Sequence, residues 1–352
     1  MRILLLTPYF HREEFDSVIE VLNNCKDLDR KYSAALYKII EETLKQMNCD
    51  KANKNVETED DQENCEEEDE KENSSETPNA SLPQQKVLSL YVYLEEMMRN
   101  AFESQDAKAI ESSLSLLYYI NEEAWETHYS KIKDILLSQL LHLNTIPTFK
   151  QSLLRLLGKI CTFKQFYDYE GFSQMIFEIV TLNYNEKNTN TLIKNSWVLA
   201  NLCANREACE NFSLEINQEL LFMSLAYCLS SKEKLTSNGF RALGYFITNN
   251  SDETLCKLAT MESPKTEKII EWLKEVYLRP FANSSVKVCW NVCVSLSNIL
   301  KSFKPEFMNK FFNKEAFINV AKILETKNNY KAQIHCLEVM TYLLVKISLF
   351  RC

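Results

Sequence analysis

A chain of 352 residues with only four glycines is poorly supplied with the residue that phosphate-cradling loops, dinucleotide-binding turns and tight hairpins require. Gly158, Gly171, Gly239 and Gly244 are the whole supply, and none falls in a GxGxxG or GxxxxGK pattern, which excludes the common nucleotide-binding loops. The net charge of −9 is local: residues 50–82 hold 13 acids and 3 bases, whereas the other 319 residues hold 37 bases and 36 acids. Bulk charge therefore does not indicate a basic nucleic-acid-binding domain.

In chain order, the apolar run Ile3–Leu6 is cut off by Pro8, His11, Arg12, Glu13 and Glu14, too early for a signal-peptide core or a membrane span. No later stretch approaches the roughly 18 uninterrupted apolar residues of a spanning helix, so no membrane insertion is expected. The 12 cysteines then read as reduced thiols of an intracellular protein, cytoplasmic or nuclear. Residues 13–48 carry two amphipathic runs, around Phe15, Val18, Ile19 and Leu22 and around Leu36, Ile39, Ile40 and Leu44, so residues 1–49 read as an N-terminal helical repeat segment. Residues 50–82, with one Leu, one Val and no aromatic residue, lack the apolar area to offset ordering and read as a disordered acidic loop.

Residues 83–352 read as a repeat array. ESSLSLLYYI (111–120), FKQSLLRLLGKIC (149–161), KNSWVLANLC (194–203), SNGFRALGYFI (237–247), SSVKVCWNVCVSLSNILKS (284–302) and NYKAQIHCLEVMTYLL (329–344) superpose without gaps on Leu117, Leu157, Leu199, Leu243, Leu296 and Met340. The intervals are 40, 42, 44, 53 and 44 residues, mostly the length of a HEAT or armadillo unit. The long interval is assigned to an insertion across residues 248–265, where TNNSDE and Ser263-Pro264 supply loop chemistry. A second apolar helix lies between anchors, as at Ile132, Ile135, Leu136 and Leu140 or at Ile269, Ile270, Leu273 and Val276. Two such helices cannot bury both faces alone, and stacking neighbours solves that. The fold expected is all-α: an α-solenoid, a right-handed superhelix of HEAT/armadillo-like helical repeats.

Two segments go beyond a generic repeat. RILLLTPYFH (2–11) and SSVKVCWNVCVSLSNILKS (284–302) resemble the corresponding stretches of the HEAT repeat-containing protein 6 family, with SNGFRALGYFI and NYKAQIHCLEVMTYLL in compatible order. The resemblance rests on the Val-Lys-Val-Cys-Trp-Asn and Thr-Pro-Tyr clusters, and it implies an α-solenoid without assigned enzymatic activity. The chain departs from HEAT repeats in the turns: a basic residue stands seven positions before Leu157, but Cys289, Leu192, Thr236 and Gln333 take equivalent places elsewhere. Apolar residues at both ends suggest a fragment, a divergent short form or an incomplete piece of a longer solenoid.

Candidate chemistry is sparse. Cys289 and Cys293 stand four apart with His335-Cys336 one repeat later, but without a CxxC or HxxxH spacing they read as core, and no metal or other cofactor is expected. The four histidines lie in no nucleophile motif, and the clustered carboxylates sit where no scaffold fixes them, so neither an enzyme nor a small-molecule substrate is indicated. Trp197 and Asn201, i and i+4, resemble one rung of the Trp/Asn ladder of armadillo import adaptors, in which Asn grips a peptide backbone and Trp packs on lysine stems. The next units are read as placing Gly239 and Leu243, then Val294 and Asn298, at the matching positions, with Trp290 one turn away. The function expected is a non-catalytic scaffold binding protein or peptide partners along a groove, with Trp197, Asn201, Trp290 and Asn298 as groove residues. The alternatives are an import-type adaptor for basic peptides, or nucleic-acid binding by the C-terminal repeats, where residues 285–352 carry ten bases and four acids.

Overall fold

The computed structural model describes residues 95–96, 98–120, 122–127, 130–279, 284–302, 314–325 and 330–349. The amphipathic runs of residues 13–48, the Thr-Pro-Tyr cluster and the acidic segment 50–82 lie outside the described residues. Among the described residues every regular element is helical and no strand occurs. The chain divides into two compact units, residues 1–139 and 140–352.

In the first unit, α1 (Ala107–Leu117) opens on Asp106, whose carboxylate accepts from the backbone N–H groups of Lys108 and Ala109. Such a cap contributes about 1 kcal/mol by satisfying donors the helix leaves unpaired. Six-residue α2 (Glu122–Thr127) and then α3 (Ser130–Thr145) follow. Met98, Phe102, Leu114, Leu117, Trp125, Ile132 and Leu136 are buried in this unit.

The second unit is built from helix triplets. It begins with the last turns of α3 and with α4 (Pro147–Ile160), where Pro147 takes the first helical position, at which its missing N–H costs nothing. Then come α5 (Lys164–Tyr167), α6 (Phe172–Asn183) and α7 (Thr189–Ala204). The next triplet is α8 (Arg206–Asn211), α9 (Leu214–Cys228) and α10 (Glu233–Asn249). The third is α11 (Asp252–Thr260), α12 (Pro264–Val276) and α13 (Val286–Ser302). Last are α14 (Lys314–Ala321), a 3₁₀ turn at Lys322–Glu325, and α15 (Tyr330–Leu349). The sequence reading of two helices per unit therefore misses a short first helix, four to nine residues long, in each complete triplet.

Residues 248–265 are likewise not a plain insertion, because α11 and its Ser251 cap occupy them. The extra length of that unit comes partly from α11, with nine residues against six in α8. A further five residues come from the link between α12 and α13, Tyr277–Ser285, against Leu229–Lys232 between α9 and α10.

Sharp corners between short helices are set by caps. Asn205 ends α7 and begins α8, its side chain accepting from Ala208 N. Ser213, Ser251 and Ser263 do the same for α9, α11 and α12. The third helices form one packed row in which α4, α7, α10, α13 and α15 each touch the next, while α9 and α12 pair in a second row. Leu157, Leu199, Leu243 and Leu296 are buried at the centres of the first row, each contributing about 1.5–3 kcal/mol through its lost apolar surface. Neighbouring repeats are also joined through polar groups: the Arg279 guanidinium donates to the carbonyls of Cys228 (2.7 Å) and Ser230 (3.1 Å), closing the end of α9 from the following triplet.

Candidate functional site

The row α4–α7–α10–α13 turns one face into its neighbours and another to solvent. Counted from the buried anchors, the positions two before are partly exposed on all four helices, and so are those two after except on α7. The first set is Arg155 on α4, Trp197 on α7, Arg241 on α10 and Val294 on α13, all half-buried. The second set is Lys159, Asn201, Tyr245 and Asn298, half-buried except for Asn201, which is 1% exposed. The register of α10 thus differs from the sequence reading: Arg241 and Tyr245, rather than Gly239 and Leu243, share the level of Trp197 and Asn201. Gly239 is instead pressed onto α9, where an added Cβ would lie 2.5 Å from Cys228 N.

Trp197 and Asn201 both engage Gly158 of the preceding repeat. The indole covers the Gly158 Cα, and the Asn201 Nδ2 donates to the Gly158 carbonyl. Asn298 repeats the device one triplet further along but one, donating to the carbonyl of Gly244 at 3.2 Å, with Val294 in place of the tryptophan. Trp290 lies two turns before Asn298 on α13 and is half-buried; its neighbour Asn291 donates to the Ser237 carbonyl and hydroxyl of α10. The structure therefore brings Trp197 together with Asn201, and puts Trp290 and Asn298 on the same helix two repeats away.

Residues not singled out from sequence complete this face. Lys194 of α7 donates to Gln151 Oε1 of α4 at 3.1 Å, and Asn238 of α10 donates to Ser196 Oγ of α7 at 3.0 Å. The Arg241 guanidinium lies over the Tyr245 ring, 5.4 Å from its centroid. Burial, followed by the positive charge of Arg155, pushes the Lys159 ammonium down to about 8. The same two causes lower Lys194. Arg155 is thus the charge that both Lys159 and Lys194 feel after their own burial. Registering the repeats on the anchor leucines puts Arg155 and Lys159 at the levels of Trp197 and Asn201, but only helix stacking brings Lys194 to them.

The helices of the row carry eight bases, Lys150, Arg155, Lys159, Lys194, Lys234, Arg241, Lys287 and Lys301, against the single acid Glu233. Glu233 sits at the start of α10, where the Ser285 hydroxyl, and after it the Ser285 backbone N–H at 2.8 Å, hold its carboxyl below the ordinary range. The second helices α6, α9 and α12 carry Glu178, Glu215, Glu219, Glu267, Glu271 and Glu275 against Lys265, Lys268 and Lys274. Charge is segregated between the two rows.

The cysteines singled out from sequence sit between α13 and α15. Cys293 and Cys336 are buried and hydrogen-bonded to each other, which raises Cys293 and lowers Cys336, while Cys336 also lies 3.2 Å from the Val320 carbonyl. Among the described residues no group of three or more His, Cys, Asp or Glu is placed to hold a metal ion, and no helix is long and apolar enough to cross a membrane.

No protein-family profile and no curated protein matches the sequence. Solved structures do match. A designed armadillo repeat protein aligns over 71% of this chain and 99% of its own at 16% identity and a TM-score of 0.54. A second, solved in complex with the peptide (KR)4, aligns over 71% and 98% at 15% identity and a TM-score of 0.53. A computationally designed armadillo repeat protein for modular peptide recognition aligns over 71% and 99% at 16% identity and a TM-score of 0.52. The packed triplets and these likenesses agree: the chain is an all-α solenoid of armadillo-like helical repeats.

Proposed function

We propose that this protein is a non-catalytic scaffold that binds extended segments of partner proteins along the row α4–α7–α10–α13. The observation that carries the reading is the recurrence of partly exposed side chains at one register on successive helices: Arg155, Trp197, Arg241 and Val294, then Lys159, Tyr245 and Asn298, with Asn201 buried at that second register. Repetition lets many modest contacts add along one ligand, and a solenoid supplies it without any single deep pocket. The peptide complex of a designed neighbour supports a peptide as the occupant. Trp197, Asn201, Trp290 and Asn298 are proposed as groove residues, with Asn201 acting through its hold on Gly158. The clusters Val286–Asn291 and Thr7–Tyr9 support placing the chain in the HEAT repeat-containing protein 6 family.

The test is selection of binders from a random peptide library, followed by amide hydrogen exchange of the complexes. Protection is expected on α4, α7, α10 and α13. Binders whose footprints fall only on α6, α9 and α12 would sink the reading.

A further inference from the structure

We infer that the outward face of α15, formed by Tyr330, Ile334, Leu337 and Thr341, is a pairing surface for a second copy of this chain. Counted from the anchors, the row uses fixed positions to receive the next helix. Six before the anchor, the Gln151 amide accepts from Lys194, the Ile193 carbonyl from Asn238 and the Ser237 carbonyl and hydroxyl from Asn291. Three before it, the Ser196 hydroxyl accepts from Asn238, and Cys293 is hydrogen-bonded to Cys336. One after it, the carbonyls of Gly158 and Gly244 accept from Asn201 and Asn298. The positions three before and one after are buried on all of α4, α7, α10 and α13.

On α15, whose anchor is Met340, the same register is Ile334, Leu337 and Thr341, and it is open. Ile334 is 57% exposed and Leu337 55%, and Thr341 is exposed as well. Tyr330, 73% exposed, extends the stripe by one turn. Ala332, Cys336 and Val339, on the face turned into the array, are fully buried. A helix apolar on both faces calls for cover on both.

The chemistry of the stripe selects what covers it. Where the row receives a following repeat, it presents acceptors, and an asparagine amide or a lysine ammonium meets them. Ile334 and Leu337 present no side-chain acceptor, and the Thr341 hydroxyl donates to the Leu337 carbonyl at 2.8 Å. A helix bearing asparagine or lysine at the contact would leave those polar groups without partners. An uncharged stripe of the same kind would not, and α15 itself supplies one. Its 4-3-4 spacing is that of a two-stranded seam, with Ile334 and Leu337 at the alternating positions where isoleucine and leucine favour two strands. Two-fold symmetry then sets each stripe against its own counterpart. Four residues from each copy bury less than the roughly 1,000 Å² of a stable interface, so the pairing is weak and reversible. It is independent of what the row α4–α7–α10–α13 binds.

The experiment is sedimentation velocity on the full chain from about 1 to about 200 μM. A reversible monomer–dimer equilibrium is expected, with a Kd of about 10–100 μM. Ile334→Glu and Leu337→Glu are each expected to weaken it at least about tenfold, because each would bury an unpaired charge. Leu182→Glu on α6, at a leucine 63% exposed, leaves it unchanged. Circular dichroism checks that each variant is folded. A 1:1 mixture of Ile334→Glu and Ile334→Lys chains, each monomeric alone, is expected to dimerise again. A parent chain that stays monomeric at about 200 μM overturns the inference, and so does a mixture that stays monomeric. So does a dimer that Ile334→Glu and Leu337→Glu leave intact, because the contact is then elsewhere. Growth into longer oligomers overturns it too, since a face that meets its own copy closes at two.

Discussion

The indole of Trp197 occupies the space a side chain on Gly158 would need: a Cβ there would lie 2.2 Å from Trp197 Cε3. The glycine is thus fixed by a neighbour one repeat away and not by its own backbone, which is ordinary helix. Gly158→Ala is expected to cost about 1–3 kcal/mol through overpacking, read as a lower urea midpoint. In Trp197→Leu the same alanine should cost much less, and an unchanged cost in that background would mean that the two residues do not compete for space.

Asn201 completes the hold on Gly158 from the other side, with its amide on the glycine carbonyl. Because Asn201 is 1% exposed, Asn201→Ala should destabilise by about 1–3 kcal/mol, the cost of an unsatisfied buried acceptor plus a small cavity. Equilibrium denaturation measures this. A change within about 0.5 kcal/mol would place the bond among those that solvent replaces freely.

Lys159 gives a pH signature. Unfolded, a lysine keeps its proton to about pH 10.4; folded, burial and Arg155 lower that to about 8. Between those values the unfolded chain binds the extra proton, so this residue's contribution to stability rises with pH through the window, and its penalty is complete below about 8. Lys159→Met should therefore be more stable than the parent at pH 7, with the gap narrowing by about pH 9.5. Comparing the two proteins cancels the buried thiols, whose raised values act in the opposite direction. A gap that stays constant with pH would contradict the assignment.

The triplets and the charged row were legible in the sequence to different degrees. Anchor leucines buried at nearly constant spacing showed the array directly, because a side chain that must be inside on every repeat leaves a periodic mark. The helix at Arg206–Asn211 left none: six residues are too few for a 3.6-residue period, and its existence depends on Asn205 capping Ala208 N. The register of α10 misled because Gly239 looks like a groove position until its packing on Cys228 N is known. The effect of Arg155 on Lys194 stayed hidden for a related reason, since the two are brought together by stacking and not by chain proximity.

Thiol chemistry supplies a further check. Among the described cysteines, Cys161, Cys203, Cys209, Cys228, Cys289, Cys293 and Cys336 are buried, and Cys256 is exposed. Burial pushes the Cys161 and Cys209 thiols up to about 12, so they are both shielded and protonated. Iodoacetamide on the native protein at pH 8 should label Cys256 among these eight, as located by peptide mapping. Rapid labelling of Cys161 or Cys209 would show that the packing around them opens locally.

Arg279 lies in the link after α12, yet the carbonyls it satisfies, those of Cys228 and Ser230, end α9 in the triplet before. A chain cut just after α10 would therefore leave intact every residue of the earlier triplet and still take the Arg279 donor from the Cys228 carbonyl, leaving Ser230 only the Thr236 hydroxyl. Stretches that look modular when the sequence is divided are thus not independent units of unfolding. Deletion series in this protein should lose stability ahead of the deleted boundary, by one repeat, so the smallest piece that folds is longer than the piece that binds.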